Sequence, residues 1–227
     1  MKTIFPIFSI TILALYSLSA CTQEESNKQA QELSTKAAKA FNKGDYTLAA
    51  QFSEQACNAG DAQSCSNLAA FYLTGQGVKQ DYTQVAKFLE QACNGGIANS
   101  CSNLGLLYSE GKGVQQDYTK AAKLYEQACN SSDANACNNL GTLYSKGKGV
   151  QQDYTQAAKF HEQACNGGTT IACSNLASSY IKGLGVEKNY EKAAELYIKA
   201  CDGGDKDACL LVNVGQELIK QTSNENR

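Results

Sequence analysis

Ten of the eleven cysteines fall in pairs at one spacing. Cys57 stands eight residues before Cys65, Cys93 before Cys101, Cys129 before Cys137, Cys165 before Cys173 and Cys201 before Cys209. The first members recur every 36 residues without a slip. Each pair flanks a short polar turn, such as NGGIANS at 94–100, where one helical pattern ends and the next begins. Packed antiparallel helices come close enough at such a turn for a disulfide, provided the cysteine stems face each other. The reading is therefore five local disulfides, each closing a loop of about nine residues and contributing roughly 2.5 kcal/mol on the chain-entropy model. Buried free thiols are the plain alternative. Zinc fits poorly, because the spacing is C-x7-C, no C-x-x-C occurs and the chain has one histidine. No metal or cofactor is expected.

Other groups read as structure. His161 occupies the position held by Leu89, Tyr125 and Tyr197 in the other copies, a packing column, so it is expected as a partly buried structural histidine. The G-x-G pairs (Gly75/Gly77, Gly111/Gly113, Gly147/Gly149, Gly183/Gly185) follow helical rather than strand patterns, and no Lys-Ser/Thr follows them. They fit helix–helix turns, not phosphate loops. Tyr72, Tyr108, Tyr144 and Tyr180 lie at helical spacing from Leu68, Leu104, Leu140 and Leu176 and read as core. Asn67, Asn103, Asn139 and Asn175, each just before that Leu, form a column of side-chain amides. On an inner solenoid face such amides can hydrogen-bond an extended peptide backbone, since each both donates and accepts. Alternatively they bond to neighbouring backbone.

The elements that position these residues follow from the period. The segment from Cys93 and the segment from Cys129 are identical at 26 of 36 positions. Cys101, Leu104, Gly105 and Tyr108 lie on one helical stripe, and Tyr118, Ala121, Ala122, Tyr125 and Cys129 on another. Gly111, Gly113 and Val114 separate the two, and Asp117 stands where an N-cap belongs. One hairpin cannot bury both stripes; stacked neighbours can. The fold class is all-α: a right-handed α-solenoid of 36-residue helix-turn-helix repeats, bridged by disulfides. The repeat region spans 31–221: a degenerate first repeat at 31–57, four full repeats at 58–202 and a capping helix at 203–221 in which Leu210, Leu211, Val214 and Leu218 cover the last core. Residues 222–227 are a polar tail.

Residues 1–20 read as a targeting segment, with Lys2 as the positive start and an apolar run over 4–20. Leu18-Ser19-Ala20-Cys21 resembles the lipobox of bacterial lipoproteins, which implies cleavage before Cys21 and lipidation of Cys21. That accounts for the one cysteine without a partner at eight residues. An ordinary secretory signal is the alternative. Residues 21–30 then form the lipidated end and a short tether. Either way the chain is exported, to the periplasm or the cell surface, in keeping with disulfide use. The balance of 20 Lys plus Arg against 22 Asp plus Glu gives a formal net charge of −2 and no basic face for nucleic acid.

The unit N-L-G-x-x-Y-x-x-G-x-G-V-x-x-D-Y-x-x-A-x-x-x-[YLH]-x-x-A, carried by Leu104, Gly105, Tyr108, Gly111, Gly113, Asp117, Tyr118, Ala121 and Ala128 and their equivalents, closely resembles the Sel-one-like repeat, a relative of the tetratricopeptide repeat. With its paired cysteines the chain also resembles bacterial secreted cysteine-rich repeat proteins. Asn189 departs from the pattern, where Asp81, Asp117 and Asp153 stand in the other copies. The resemblance implies binding of a peptide or protein segment on the concave face. It also implies, as an alternative, a β-lactam-binding protein or slow β-lactamase acting on penicillin- or cephalosporin-type or peptidoglycan-like ligands. Serine β-lactamases need S-x-x-K with K-[ST]-G. The first occurs as Ser109–Lys112, Ser145–Lys148 and Ser179–Lys182, while the second is absent. No catalytic residue is assigned. A purely structural envelope role is a third expectation.

Overall fold

The structure, a computed structural model, describes residues 8–212. The first residues of the targeting segment, Val214 and Leu218 of the expected cap, and the tail at 222–227 lie outside the described residues, while Leu210 and Leu211, expected to cover the last core, are instead 63% and 51% exposed. Ten helices follow in chain order: α1 (Phe8–Asn42), α2 (Tyr46–Asn58), α3 (Ala62–Thr74), α4 (Tyr82–Asn94), α5 (Ala98–Glu110), α6 (Tyr118–Asn130), α7 (Ala134–Lys146), α8 (Tyr154–Asn166), α9 (Thr170–Lys182) and α10 (Tyr190–Asp202). A further helix, α11, is described over 206–212. The described residues contain no strand, and none of their helices is long and apolar enough to cross a membrane.

The chain forms two compact units, residues 1–97 and residues 98–227. In the first, α1 packs on α2, α2 on α3 and α3 on α4. In the second, each of α5 to α9 packs on the helix that follows it, up to α10. This is the nearest-neighbour order of an α-solenoid, with odd-numbered first helices and even-numbered second helices. The core columns are small. Ala92, Ala128, Ala164 and Ala200 are wholly buried at one repeat position, and Leu68, Leu104, Leu140 and Leu176 are buried at another. Burying each of those leucines contributes about 1.5–3 kcal/mol.

The helix ends explain the period. Asp81, Asp117 and Asp153 are N-caps of the second helices, each accepting a first-turn N–H, and Asn189 does the same for Lys192 N. The change from Asp to Asn therefore keeps the cap. Between α6 and α7 the second turn residue, at φ 68°, is Ser132, where the other repeats place Gly60, Gly96, Gly168 and Gly204. Within each unit the disulfides tie the end of a second helix to the next first helix. Cys57–Cys65, Cys129–Cys137, Cys165–Cys173 and Cys201–Cys209 have Cα separations of 4.7, 4.8, 4.7 and 4.5 Å, and Cys93 and Cys101 are also disulfide-bonded.

One expected boundary differs. Residues 22–30, read as a tether, continue α1 without a break. The stretch contains no Gly or Pro and is rich in Gln, Glu, Lys and Ala, all good helix formers. It is also held by packing: Ala30 is buried, and Ser26 Oγ donates to the Ala59 carbonyl at 3.2 Å. The first helix of the degenerate repeat thus begins before residue 31.

A second device holds the repeats together. At Gly77, Gly149 and Gly185 an added Cβ would collide with the backbone carbonyl of Tyr46, Tyr118 and Tyr154 respectively, at the start of the preceding repeat's second helix. All three glycines have positive φ, 71°, 70° and 73°. Only glycine meets both demands.

Candidate functional site

The amide column lies on the exposed side of the first helices. Asn67 and Asn103 are exposed, and Asn139 and Asn175 half-buried. Their partners are side chains rather than the turn backbone. Gln63 Nε2 donates to Asn67 Oδ1 at 3.1 Å, and Asn103 Nδ2 to Asn99 Oδ1 at 2.6 Å, one turn earlier. Asn175 Nδ2 reaches Asn138 Oδ1 on the preceding first helix at 3.1 Å. Thr169 Oγ1 similarly donates to Asn135 Oδ1 at 3.3 Å. Within the second unit the face is thus a polar strip of amides and hydroxyls running from α5 to α9. Each amide that donates one N–H retains another and a carbonyl lone pair for a ligand.

In the first unit the same face is deeper. A cavity of about 410 Å³ lies between α1 and α3, with Phe41, Phe71, Ala37 and Ala70 as its apolar wall and Asn67 and Ser34 at its polar side. Phe41 is 47% exposed and packs against Phe71 with centroids 6.0 Å apart. The pattern of the sequence did not mark Phe41 as a lining residue. It lies at the end of α1, a first helix without the paired cysteine of the other copies, and its exposure depends on how α1 meets α3.

The serine–lysine pairs do not assemble nucleophilic sites. Ser109 Oγ donates to the Leu106 carbonyl at 2.9 Å, Ser145 Oγ to Thr142 at 2.9 Å and Ser179 Oγ to Asn175 at 3.1 Å. Each hydroxyl is turned back on its own helix. Lys112 Nζ lies 2.8 Å from the Glu110 carboxylate, and Lys148 Nζ lies 4.9 Å from the Tyr118 ring centroid.

His161 is buried, 4% exposed, and burial pushes its pKa from 6.5 down to about 4. Its ring packs on Gly141, where an added Cβ would lie 3.0 Å from the imidazole Cε1 and Nδ1. Tyr125 packs the same way on Gly105. The histidine is a filler of the packing column, more deeply buried than the sequence position suggested. Among the described residues no His/Cys/Asp/Glu cluster could hold a metal.

The connecting loops contain a repeated polar clamp that the sequence analysis missed. Gln80, Gln116 and Gln152 each donate through Nε2 to a carbonyl seven residues earlier, at Leu73, Ser109 and Ser145, over 2.7, 2.8 and 2.8 Å. Those carbonyls are among the unpaired acceptors of a helix C-terminus. The signal available was the recurrence of Gln at one position in three repeats, with Lys188 in the fourth.

Comparison with known proteins agrees with the geometry. The Sel1 repeat profile matches residues 43–61, 62–97, 98–133, 134–169 and 170–205. No curated protein matches the sequence. A protective antigen of uropathogenic Escherichia coli strains, which displays an SLR fold, is similar at 26% identity and a TM-score of 0.77, over 81% of this chain and 40% of that one. This chain therefore spans about two fifths of the antigen's length. A Sel1 repeat protein from Oxalobacter formigenes is similar at 28% identity and a TM-score of 0.70, over 78% and 72% of the two chains. Helicobacter pylori cysteine rich protein B is similar at 29% identity over 56% of this chain and 96% of its own, with a TM-score of 0.46. With consecutive matches from residue 43 to residue 205, the chain belongs to the Sel1 repeat family.

Proposed function

We propose that the protein is an exported, lipid-anchored scaffold that binds extended peptides or protein segments on the face of its first helices. The observation that carries this reading is the run of side-chain amides at 36-residue spacing, Asn67, Asn103, Asn139 and Asn175, which retain hydrogen-bonding capacity toward solvent. An extended backbone presents N–H and C=O groups that such amides satisfy in pairs. Sel1 repeats serve in general as protein-interaction scaffolds, and the disulfides fit an oxidising compartment. The Leu18-Ser19-Ala20-Cys21 tetrad supports cleavage and lipidation at Cys21.

The test selects peptides from a displayed library on the oxidised full chain and measures the affinity of the best one. The double variant Asn103→Ala/Asn139→Ala is expected to fold normally and to bind at least tenfold more weakly. Unchanged affinity in a folded double variant sinks the amide reading. Lipidation is tested separately, by intact mass and membrane fractionation of the Cys21→Ser variant. That variant is expected to lose both the acyl mass and the membrane association.

A further inference from the structure

A second surface, which none of the column asparagines lines, is built from the connecting loops, the second helices and one tyrosine of each first helix. Two pockets there are built from the same repeat positions. One is lined by Tyr108, Val114, Gln115, Gln116, Asp117 and Lys120. The other, 36 residues on, is lined by Tyr144, Val150, Gln151, Gln152, Asp153 and Gln156, and extends to Asn130, Phe160 and Gln163. The first has a volume of about 380 Å³ and the second about 840 Å³.

Two correlated substitutions make the difference. In the smaller pocket Lys120 Nζ lies 5.1 Å from the Tyr108 centroid and covers the ring. Lys192 sits over Tyr180 in the same way, at 4.9 Å. Both lysine repeats carry leucine four residues later, Leu124 and Leu196. In the larger pocket the lysine is replaced by Gln156 and the leucine by Phe160. Phe160 stacks on Tyr144 with centroids 5.6 Å apart and planes 16° apart. Both rings are half-buried and line the pocket. The first unit also has a Tyr72–Phe88 stack, but Phe88 is 2% exposed and Lys87 Nζ lies 5.0 Å from its ring. Among the described repeats, Tyr144 and Phe160 form the stacked, half-buried pair over which no lysine lies.

The chemistry around that pair is amide-rich and close to neutral. Asn130, Gln151 and Gln156 have side-chain amides with no partner among the described residues, while Gln163 Nε2 reaches the Cys129 carbonyl at 3.4 Å. The Asp153 carboxylate caps α8, accepting from Thr155 N at 2.8 Å and Gln156 N at 3.0 Å. Glu126 and Lys159 balance each other at the rim. A phosphate or other anion finds one lysine there, and a cation finds no carboxylate cluster. A ring that is apolar on one face and carries hydroxyls around its edge meets matched groups. Its C–H bonds lie on the electron-rich aromatic faces, and its hydroxyls reach amides that donate and accept. The pocket volume is in the range of small-ligand sites.

We propose that the Tyr144–Phe160 pocket is a binding site for a neutral oligosaccharide. The site is independent of peptide binding on the first-helix face.

The experiment is ligand-observed NMR, by saturation transfer, on the oxidised full chain with three probes: cellotetraose, maltotetraose and the tetramer of N-acetylglucosamine. At least one probe is expected to receive saturation through its ring C–H protons. Phe160→Ala and Gln156→Lys, the latter copying the Lys120 lid onto a surface position, are each expected to weaken binding at least tenfold. The double change Lys120→Gln/Leu124→Phe opens the neighbouring pocket and is expected to double the stoichiometry. Circular dichroism and melting temperature verify that each variant folds. Absence of transfer from all three probes overturns the proposal. So does binding that survives both Phe160→Ala and Gln156→Lys in folded protein, or a pocket that takes aromatic peptides and no sugar.

Discussion

Replacing His161 with tyrosine gives a direct test of how the packing column works. His161 is 4% exposed and its Nδ1 makes no hydrogen bond among the described residues. Burial alone lowers its pKa, from 6.5 to about 4. A histidine with a depressed folded pKa binds fewer protons folded than unfolded. Above pH 6.5 both states are neutral there and the group is silent. As pH falls from 6.5 toward 4 the unfolded chain protonates first, and folded stability is lost. At about 1.36 kcal/mol per pKa unit the loss reaches about 3 kcal/mol below pH 4, and about 2 kcal/mol at pH 5. Tyrosine fills the equivalent place at Tyr125, against Gly105, and Gly141 offers His161 the same contact. His161→Tyr should therefore fold, match or exceed the wild type at pH 7.5, and lose less on acidification. The assay is urea unfolding of the oxidised wild type and variant at pH 7.5, 5.0 and 4.0. Carboxylates titrate equally in both chains, so the difference between the two isolates the histidine. A difference that stays constant within about 0.5 kcal/mol across that range refutes the reasoning.

Three other expectations concern turns, bridges and chemistry. Gly149→Ala combines a left-handed backbone with a collision against the Tyr118 carbonyl and should cost more than about 2 kcal/mol, whereas Ser132→Gly relieves the φ of 68° and should gain about 1 kcal/mol; urea midpoints measure both. The double variant Cys129→Ser/Cys137→Ser should lose about 2.5 kcal/mol while keeping its helical circular dichroism. A chromogenic cephalosporin should be hydrolysed at the buffer rate, because the Ser109, Ser145 and Ser179 hydroxyls are all donated to helix carbonyls. Turnover above that rate, abolished by alanine at any of the three serines, would show a rearrangement absent from this structure.

Period and composition made much of the fold legible. The stripes through Leu104 and Tyr118, the N-cap at Asp117 and the disulfide spacing all depend on contacts within one repeat or its neighbour, so local pattern suffices. The packing role of His161 was legible because three other copies show what the position requires. The helical course of residues 22–30 within α1 was not legible. Residues 22–30 lack an apolar stripe, and their helix is held by Ala30 and by Ser26 reaching Ala59, contacts made 33 residues away for the latter. The collision of Gly149 with the Tyr118 carbonyl was equally hidden, since a glycine in a turn looks the same whether its α-carbon faces solvent or backbone. The amide column was visible as a column, but its lateral bonds were not. The Tyr144–Phe160 pair was missed because it requires reading Gln156 and Phe160 together against Lys120 and Leu124.

The joints at Gly77–Tyr46, Gly149–Tyr118 and Gly185–Tyr154 are the same joint made three times. Anything spliced into the gene in units of 36 codons meets an interface already solved on both sides, so duplication or deletion of whole copies leaves no seam. The copy from Cys129 shares 26 of 36 residues with the copy from Cys93, so the residues that make such a joint recur in the same register. A chain one repeat longer or shorter would keep the same glycine-to-carbonyl contact between its copies.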